Sequence, residues 1–91
     1  MKQKRTQLEI IHDMLSTMQQ RGGRIKPTHL LYKSNLSYKM MQGYLTILKE
    51  RDLVEEEEAK GEKKVYVLTQ KGFQFLSEYK RIAEFTDAFG L

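Results

Sequence analysis

The segment Pro27-Thr-His-Leu-Leu-Tyr-Lys-Ser-Asn-Leu-Ser-Tyr-Lys-Met-Met-Gln-Gly-Tyr-Leu-Thr-Ile-Leu-Lys-Glu-Arg-Asp-Leu-Val54 decides the fold. It reads as a short helix, a tight turn, a longer helix and a hand-off into a strand. Thr28 is expected to cap the first helix, over 28–33, with Leu30 and Leu31 on its apolar side. Ser34-Asn35 breaks the pattern, because both side chains hydrogen-bond nearby backbone and favour turns. Ser37 is expected to cap the second helix, over 37–51, by accepting from a free N–H of its first turn. Met41, Tyr44, Leu45 and Leu48 follow the 3, 4, 7 spacing of one buried stripe. The opposite face carries Lys39, Gln42, Gly43 and Thr46, with Ser37 and Tyr38 at its leading end. Two helices around a tight turn, the second polar and basic outside, make a helix-turn-helix.

Ninety-one residues, 40% of them hydrophobic, suffice for one domain with one small core. The formal charge is +4 and the pI about 9.4. No acidic residue lies between Asp13 and Glu50, while Arg21, Arg24, Lys26, Lys33, Lys39 and Lys49 all fall there. Such a segment is either a solvated basic face or an electrostatic footprint for phosphate. Cysteine is absent, which removes disulfides, thiolate metal sites and cysteine nucleophiles together. No apolar run approaches a membrane span, and Thr6–Gln20 is amphipathic, unlike the core of a signal peptide. A cytoplasmic, nucleoid-associated protein is the expectation.

Residues 1–5 form a short basic arm. Thr6-Gln-Leu-Glu9 matches a capping box, and Leu8, Ile11, Leu15 and Met18 give the following helix (6–21) a wide apolar face. Gly22-Gly23 ends it. Arg24-Ile25-Lys26 is extended, since the residue before Pro27 is steered from helical geometry, and it can form one edge strand. After the organising motif, Asp52 is expected in the left-handed region. A hairpin then spans 53–68 around Lys60-Gly61, with Tyr66 and Leu68 inward and Val65 and Val67 outward. The acidic run Glu55–Glu58 alternates between strand faces and cannot converge on a metal; Lys63 and Lys64 are its natural cross-strand partners.

Thr69 is expected to cap the last helix (69–87). Phe73, Leu76 and Ala83 fall on one side of it, and Phe75, Tyr79, Ile82, Phe85 and Phe89 on nearly the opposite side. A single small domain covers one face, so the second reads as a self-association surface. The alternative is that helix 1 or the tail folds over it.

The element order, with Tyr66-Val-Leu-Thr-Gln-Lys-Gly72 and Leu45-Thr-Ile-Leu-Lys-Glu-Arg-Asp-Leu-Val54, resembles winged helix-turn-helix domains such as the MarR and PadR regulators. Asn35-Leu-Ser-Tyr-Lys39 and Leu8-Glu-Ile-Ile-His-Asp13 are similar above all to the archaeal ten-kilodalton winged-helix DNA-binding proteins. The resemblance spans nearly the whole chain and implies an α+β, mostly helical fold: a three-helix core, a two-stranded wing and a C-terminal helix. It also implies a homodimer joined through that helix. Two positions depart from the pattern. Asp52 stands where glycine is usual, and Glu55–Glu58 puts negative charge at the base of the wing, which weighs against wing contact with DNA.

Catalysis finds little support. His12 and His29 are the only histidines and neither has ligand spacing, while Gly22-Gly23 lacks the following Gly-Lys-[Ser/Thr] of a phosphate loop. No cofactor is expected. The function expected is binding of double-stranded DNA, as a transcriptional regulator or chromatin-associated protein, with the 37–51 helix in the major groove. Gln42 can address adenine and Lys39 guanine or phosphate, while Gly43 admits the backbone closely. Lys26, Thr28, His29, Lys33 and Tyr38 are candidate phosphate contacts, joined by Lys60, Lys63 and Lys64 from the wing. The competing class is a winged helix that serves protein–protein assembly without DNA, for which the Phe75–Phe89 aromatic row is the supporting feature.

Overall fold

Most helix boundaries are set by a specific cap. The computed structural model describes residues 5–61 and 63–90, in the order α1 (Gln7–Gln20), β1 (Arg24–Ile25), α2 (Pro27–Ser34), α3 (Tyr38–Glu50), β2 (Val54–Ala59), β3 (Lys63–Leu68) and α4 (Gln70–Ala88). Thr6 and Glu9 close the expected capping box: Glu9 N donates to Thr6 Oγ1 at 3.1 Å and Thr6 N to Glu9 Oε1 at 2.9 Å. The hydrogen bonds from Thr6 hold the Glu9 carboxyl below the usual carboxylate range. At the other end, Gly22 N and Gly23 N donate to the carbonyls of Gln19 and Met18, a Schellman closure with both glycines at positive φ. Asp52, at φ 60°, does the same for α3, with Asp52 N and Leu53 N donating to Lys49 O and Leu48 O.

The second helix departs from expectation. It starts at Pro27, one residue before Thr28, and Lys26 holds the cap position without a side-chain hydrogen bond. Proline at the first helical position loses no hydrogen bond and already has helical φ, so it outcompetes the threonine. Asn35, in the left-handed region, ends the helix, and Ser37 caps α3 by accepting from Met40 N at 3.2 Å.

The hairpin pairs Val54 with Leu68 through Ala59 with Lys63, and β1 adds to its far side, giving an antiparallel sheet of order β1-β3-β2. The wing is thus backed by a third strand. Tyr66 and Leu68 face the core as expected. Val65 faces the other way and is nevertheless buried. Met14, Leu15, Met18, Leu30, Met41, Leu45, Leu48 and Val54 are fully enclosed; each such side chain stabilises by roughly 1.5–3 kcal/mol. Arg5 is anchored: it pairs with Asp13 at 2.9 Å and donates to the Ser34 carbonyl at 3.1 Å, tying the chain's start to the α2–α3 turn. The remainder of the basic arm, with Lys2 and Lys4, lies outside the described residues.

The last helix corrects the reading of two opposed apolar faces. Leu76 is buried and Phe75 packs against the same core. Tyr79 stacks on His12 of α1, with ring centroids 4.0 Å apart. Phe73 and Ala83 are exposed. The division runs along the helix as well as around it: the domain covers one face of the first half, and Ile82, Phe85 and Phe89 stay 63–66% exposed beyond it. A helix of 19 residues is about 28 Å long, more than the sheet and α1 can cover.

Candidate nucleic-acid interface

The outward face of α3 is available because its inward stripe, Met41, Leu45 and Leu48, anchors the helix so completely. Lys39, Gly43 and Thr46 are exposed and Gln42 is half-buried beside them. Thr46 donates its hydroxyl proton to Gln42 O at 3.0 Å, leaving its oxygen free to accept. Tyr38, the first helical residue, is 64% exposed. No acidic residue sits in the first turn, so the positive end of the helix dipole and Lys39 act in the same direction. Gly43 has open space around its α-carbon, and a flat spot in mid-helix admits close approach by a ligand.

A second basic element lies alongside. Lys26, Pro27 and Thr28 at the start of α2, and Ala59, Lys60, Lys63, Lys64 and Val65 of the wing, line one groove of about 460 Å³. The structure therefore brings together five of the expected phosphate-contacting residues that lie far apart in the chain. The first N–H groups of α2 have no intrahelical acceptor and open in the same region, a setting that favours anions. Along the outer side of α2, exposed Thr28, Tyr32 and Lys33 and half-buried His29 form a continuous patch, with His29 Nδ1 3.5 Å from an Arg21 nitrogen. Tyr32, 85% exposed, and Arg21 were not expected there. The i, i+4 relation of Tyr32 to Thr28 was a usable signal for the first. Arg21 was counted among the cations of the basic segment, but its place beside His29 was not signalled, since it depends on the Gly22-Gly23 turn that lays α1 beside α2.

The basic residues of the central segment divide into two groups. Arg24 pairs with Glu57 at 2.9 Å, and Lys49 with Glu56 at 3.3 Å. Arg21, Lys26, Lys33 and Lys39 form no ion pair among the described residues. Lys64 lies 3.6 Å from the second oxygen of Glu56, a diagonal partner, since its direct neighbour across the hairpin is Glu58. Partial burial disfavours the charged form of Glu56, but the Lys49 and Lys64 ammonium groups outweigh it and hold the carboxyl below its usual range. Two of the wing's acidic residues are thus spent on internal pairs, while Lys60 and Lys63 remain outside any ion pair among the described residues. The expected self-association residues separate likewise. Phe75 and Tyr79 are engaged within the monomer, and Ile82, Phe85 and Phe89 are exposed. Among the described residues no group of His, Asp or Glu is arranged to hold a metal ion, and no helix is long and apolar enough to cross a membrane.

Comparison with known proteins bears out the resemblance read from the motifs. A family model described as winged helix-turn-helix matches residues 4–87. No curated protein matches the chain. Among solved structures, Sso10a-2, a DNA-binding protein from Sulfolobus solfataricus, superposes with a TM-score of 0.79 at 20% identity, over 93% of this chain and 85% of that one. F93 from STIV, a winged-helix DNA-binding protein, gives 0.71 at 21% identity, over 89% and 92%. AbsC, a MarR family transcriptional regulator from Streptomyces coelicolor, gives 0.73 at 18% identity over 87% of this chain, which spans 57% of that regulator. These likenesses establish the fold.

Proposed function

The chain belongs to the winged helix-turn-helix family, and from that premise we propose that it binds double-stranded DNA, as a transcriptional regulator or chromatin-associated protein. The observation that carries this reading is the exposed α3 face of Lys39, Gly43 and Thr46, unspent on ion pairs and flanked by the lysine-lined groove between α2 and the wing. In this reading α3 enters the major groove, Gln42 and Lys39 reach base edges, and Thr46 accepts from or packs on a base. Ser37 and Tyr38 at the leading end, with Lys26, Thr28, His29 and Lys33, hold phosphates; Lys60, Lys63 and Lys64 do so from the wing.

The exposed row of Ile82, Phe85 and Phe89 meets the same row of a second copy. Such a self-complementary contact is the usual form of a twofold dimer, and it would place two α3 helices on successive half-sites of one duplex. DNA binding and dimerisation then use separate sets of residues.

Chemical-shift mapping of isotope-labelled protein titrated with a short duplex tests the assignment. Shifts concentrated at Ser37–Thr46, Lys26–Lys33 and Lys60–Lys64 are expected. Shifts confined to Ile82–Phe89, or none, would contradict it and favour an assembly module.

A further inference from the structure

The one cation of the α3 reading stripe that is already neutralised is its last. Lys39, Gln42, Thr46 and Lys49 recur at helical spacing along one face, and Lys49 is held by Glu56 at 3.3 Å. The second oxygen of the same carboxylate lies 3.6 Å from Lys64 on the return strand of the wing. One anionic group therefore bridges two lysines, one from the recognition helix and one from the wing, at the junction where β2 leaves α3. In the DNA-binding reading above, backbone phosphates lie between a helix in the major groove and a wing beside it, so one lysine from each element can share a phosphate. A carboxylate with an ammonium on each oxygen has the charge and the acceptor arrangement of a phosphate held by two lysines.

We propose that Glu56 stands in for a DNA phosphate, occupying from within the chain a two-lysine cradle formed by Lys49 and Lys64. The proposal rests on the DNA-binding reading above and adds to it an element that limits affinity. With Glu56 in place, neither lysine contributes fully to counterion release, so the protein binds duplex more weakly, and with a shallower salt dependence, than its lysine content suggests. Glu56 is a positioning and competing residue here, not a contact to DNA. Glu55, its neighbour, supplies the internal comparison: it is exposed, points to the other face of the hairpin opposite Val67, and pairs with no cation among the described residues.

Glu56→Gln and Glu55→Gln remove the same charge, but only the first releases two lysines. Each variant and the wild type would be titrated with one labelled duplex over a range of salt, with a thermal melt to verify folding. Glu56→Gln is expected to bind about fivefold more tightly at low salt, with a log–log salt slope steeper by about one, as for one added phosphate contact. Glu55→Gln is expected to stay closer to wild type, with an unchanged salt slope, since its carboxylate faces the other side of the hairpin and holds neither lysine. Equal affinity and slope for Glu56→Gln and wild type would overturn the proposal. So would equal gains in both variants, which would reduce the effect to net charge, or weaker binding by Glu56→Gln with a lowered melt, which would make Glu56 a structural strut. Failure of wild type and both variants to bind would overturn the DNA-binding reading itself, and the competing role with it.

Discussion

Thr69 donates its hydroxyl proton to the main-chain carbonyl of Asp52 at 2.7 Å. The Thr69 hydroxyl oxygen itself accepts from Gly72 N at 3.0 Å, and Thr69 N donates to Leu53 O at 3.1 Å. The start of α4 is thereby fastened to Asp52 and Leu53, the link between α3 and the first strand of the wing. This explains the Leu-Thr-x-x-Gly sequence physically. Leucine fills the core, threonine makes the double hydrogen bond, and Gly72 is buried where a Cβ would collide with the Leu53 carbonyl and the Leu68 side chain.

Gly72→Ala is accordingly expected to destabilise the fold, although alanine suits a helix better than glycine. The intruding methyl meets backbone that cannot yield, and overpacking of this kind costs about 1–3 kcal/mol. Thermal or urea unfolding checks this. A variant as stable as wild type would show that α4 is not clamped as described.

At the far end of the same helix, Ile82→Glu with Phe85→Asp is expected to convert a dimer to a monomer with little change in domain stability, because both side chains are more than half exposed in the single chain. Tyr79→Ala should do the reverse, lowering stability through the lost stack on His12 while leaving association intact. Sedimentation velocity alongside thermal melts separates the two. A monomeric wild type would remove the C-terminal row as a self-association surface.

The acid side of the stability profile has a defined sign. Glu9 and Glu56 both titrate below the ordinary carboxylate value of 4.5 when folded. Their contribution is therefore present above the unfolded value and is lost as pH falls through the lower folded values. Melting temperature is expected to drop between about pH 5 and pH 3, and less steeply in Glu9→Gln or Glu56→Gln than in wild type. Parallel curves for wild type and variants would contradict it.

Much of the architecture was legible because local chemistry dictates it. The Thr6–Glu9 box, the Ser37 and Thr69 caps, the left-handed Asp52 and the α3 core stripe all depend on residues within one or two turns of each other. What escaped depends on reach between elements. Helical spacing gives the angle of Phe75 and Tyr79 but not how far along α4 the domain extends, so residues that pack on α1 read as part of an open row. Charge counting found the basic segment but not that Arg24 and Lys49 are taken by Glu57 and Glu56, because those pairs form only when the sheet folds back beside β1 and α3. Thr28 read as a cap because its side chain suits the role; Pro27 had the stronger claim one position earlier.

Sequence preference should trace to one side chain before any other. Gln42→Ala is expected to relax discrimination at a single base position by about 1–3 kcal/mol, read by competition among duplexes that differ at one base pair. Unchanged preference would move base reading away from the centre of α3.

The most direct measurement is fluorescence anisotropy of a labelled duplex of about 20 base pairs, two helical turns, titrated with wild type and with Lys39→Ala across a range of salt. Wild type is expected to bind with an affinity that falls steeply with salt, and Lys39→Ala to bind more weakly with a log–log slope shallower by about one. Identical curves for the two proteins, or no binding by wild type at low salt, would contradict the placement of α3 on DNA.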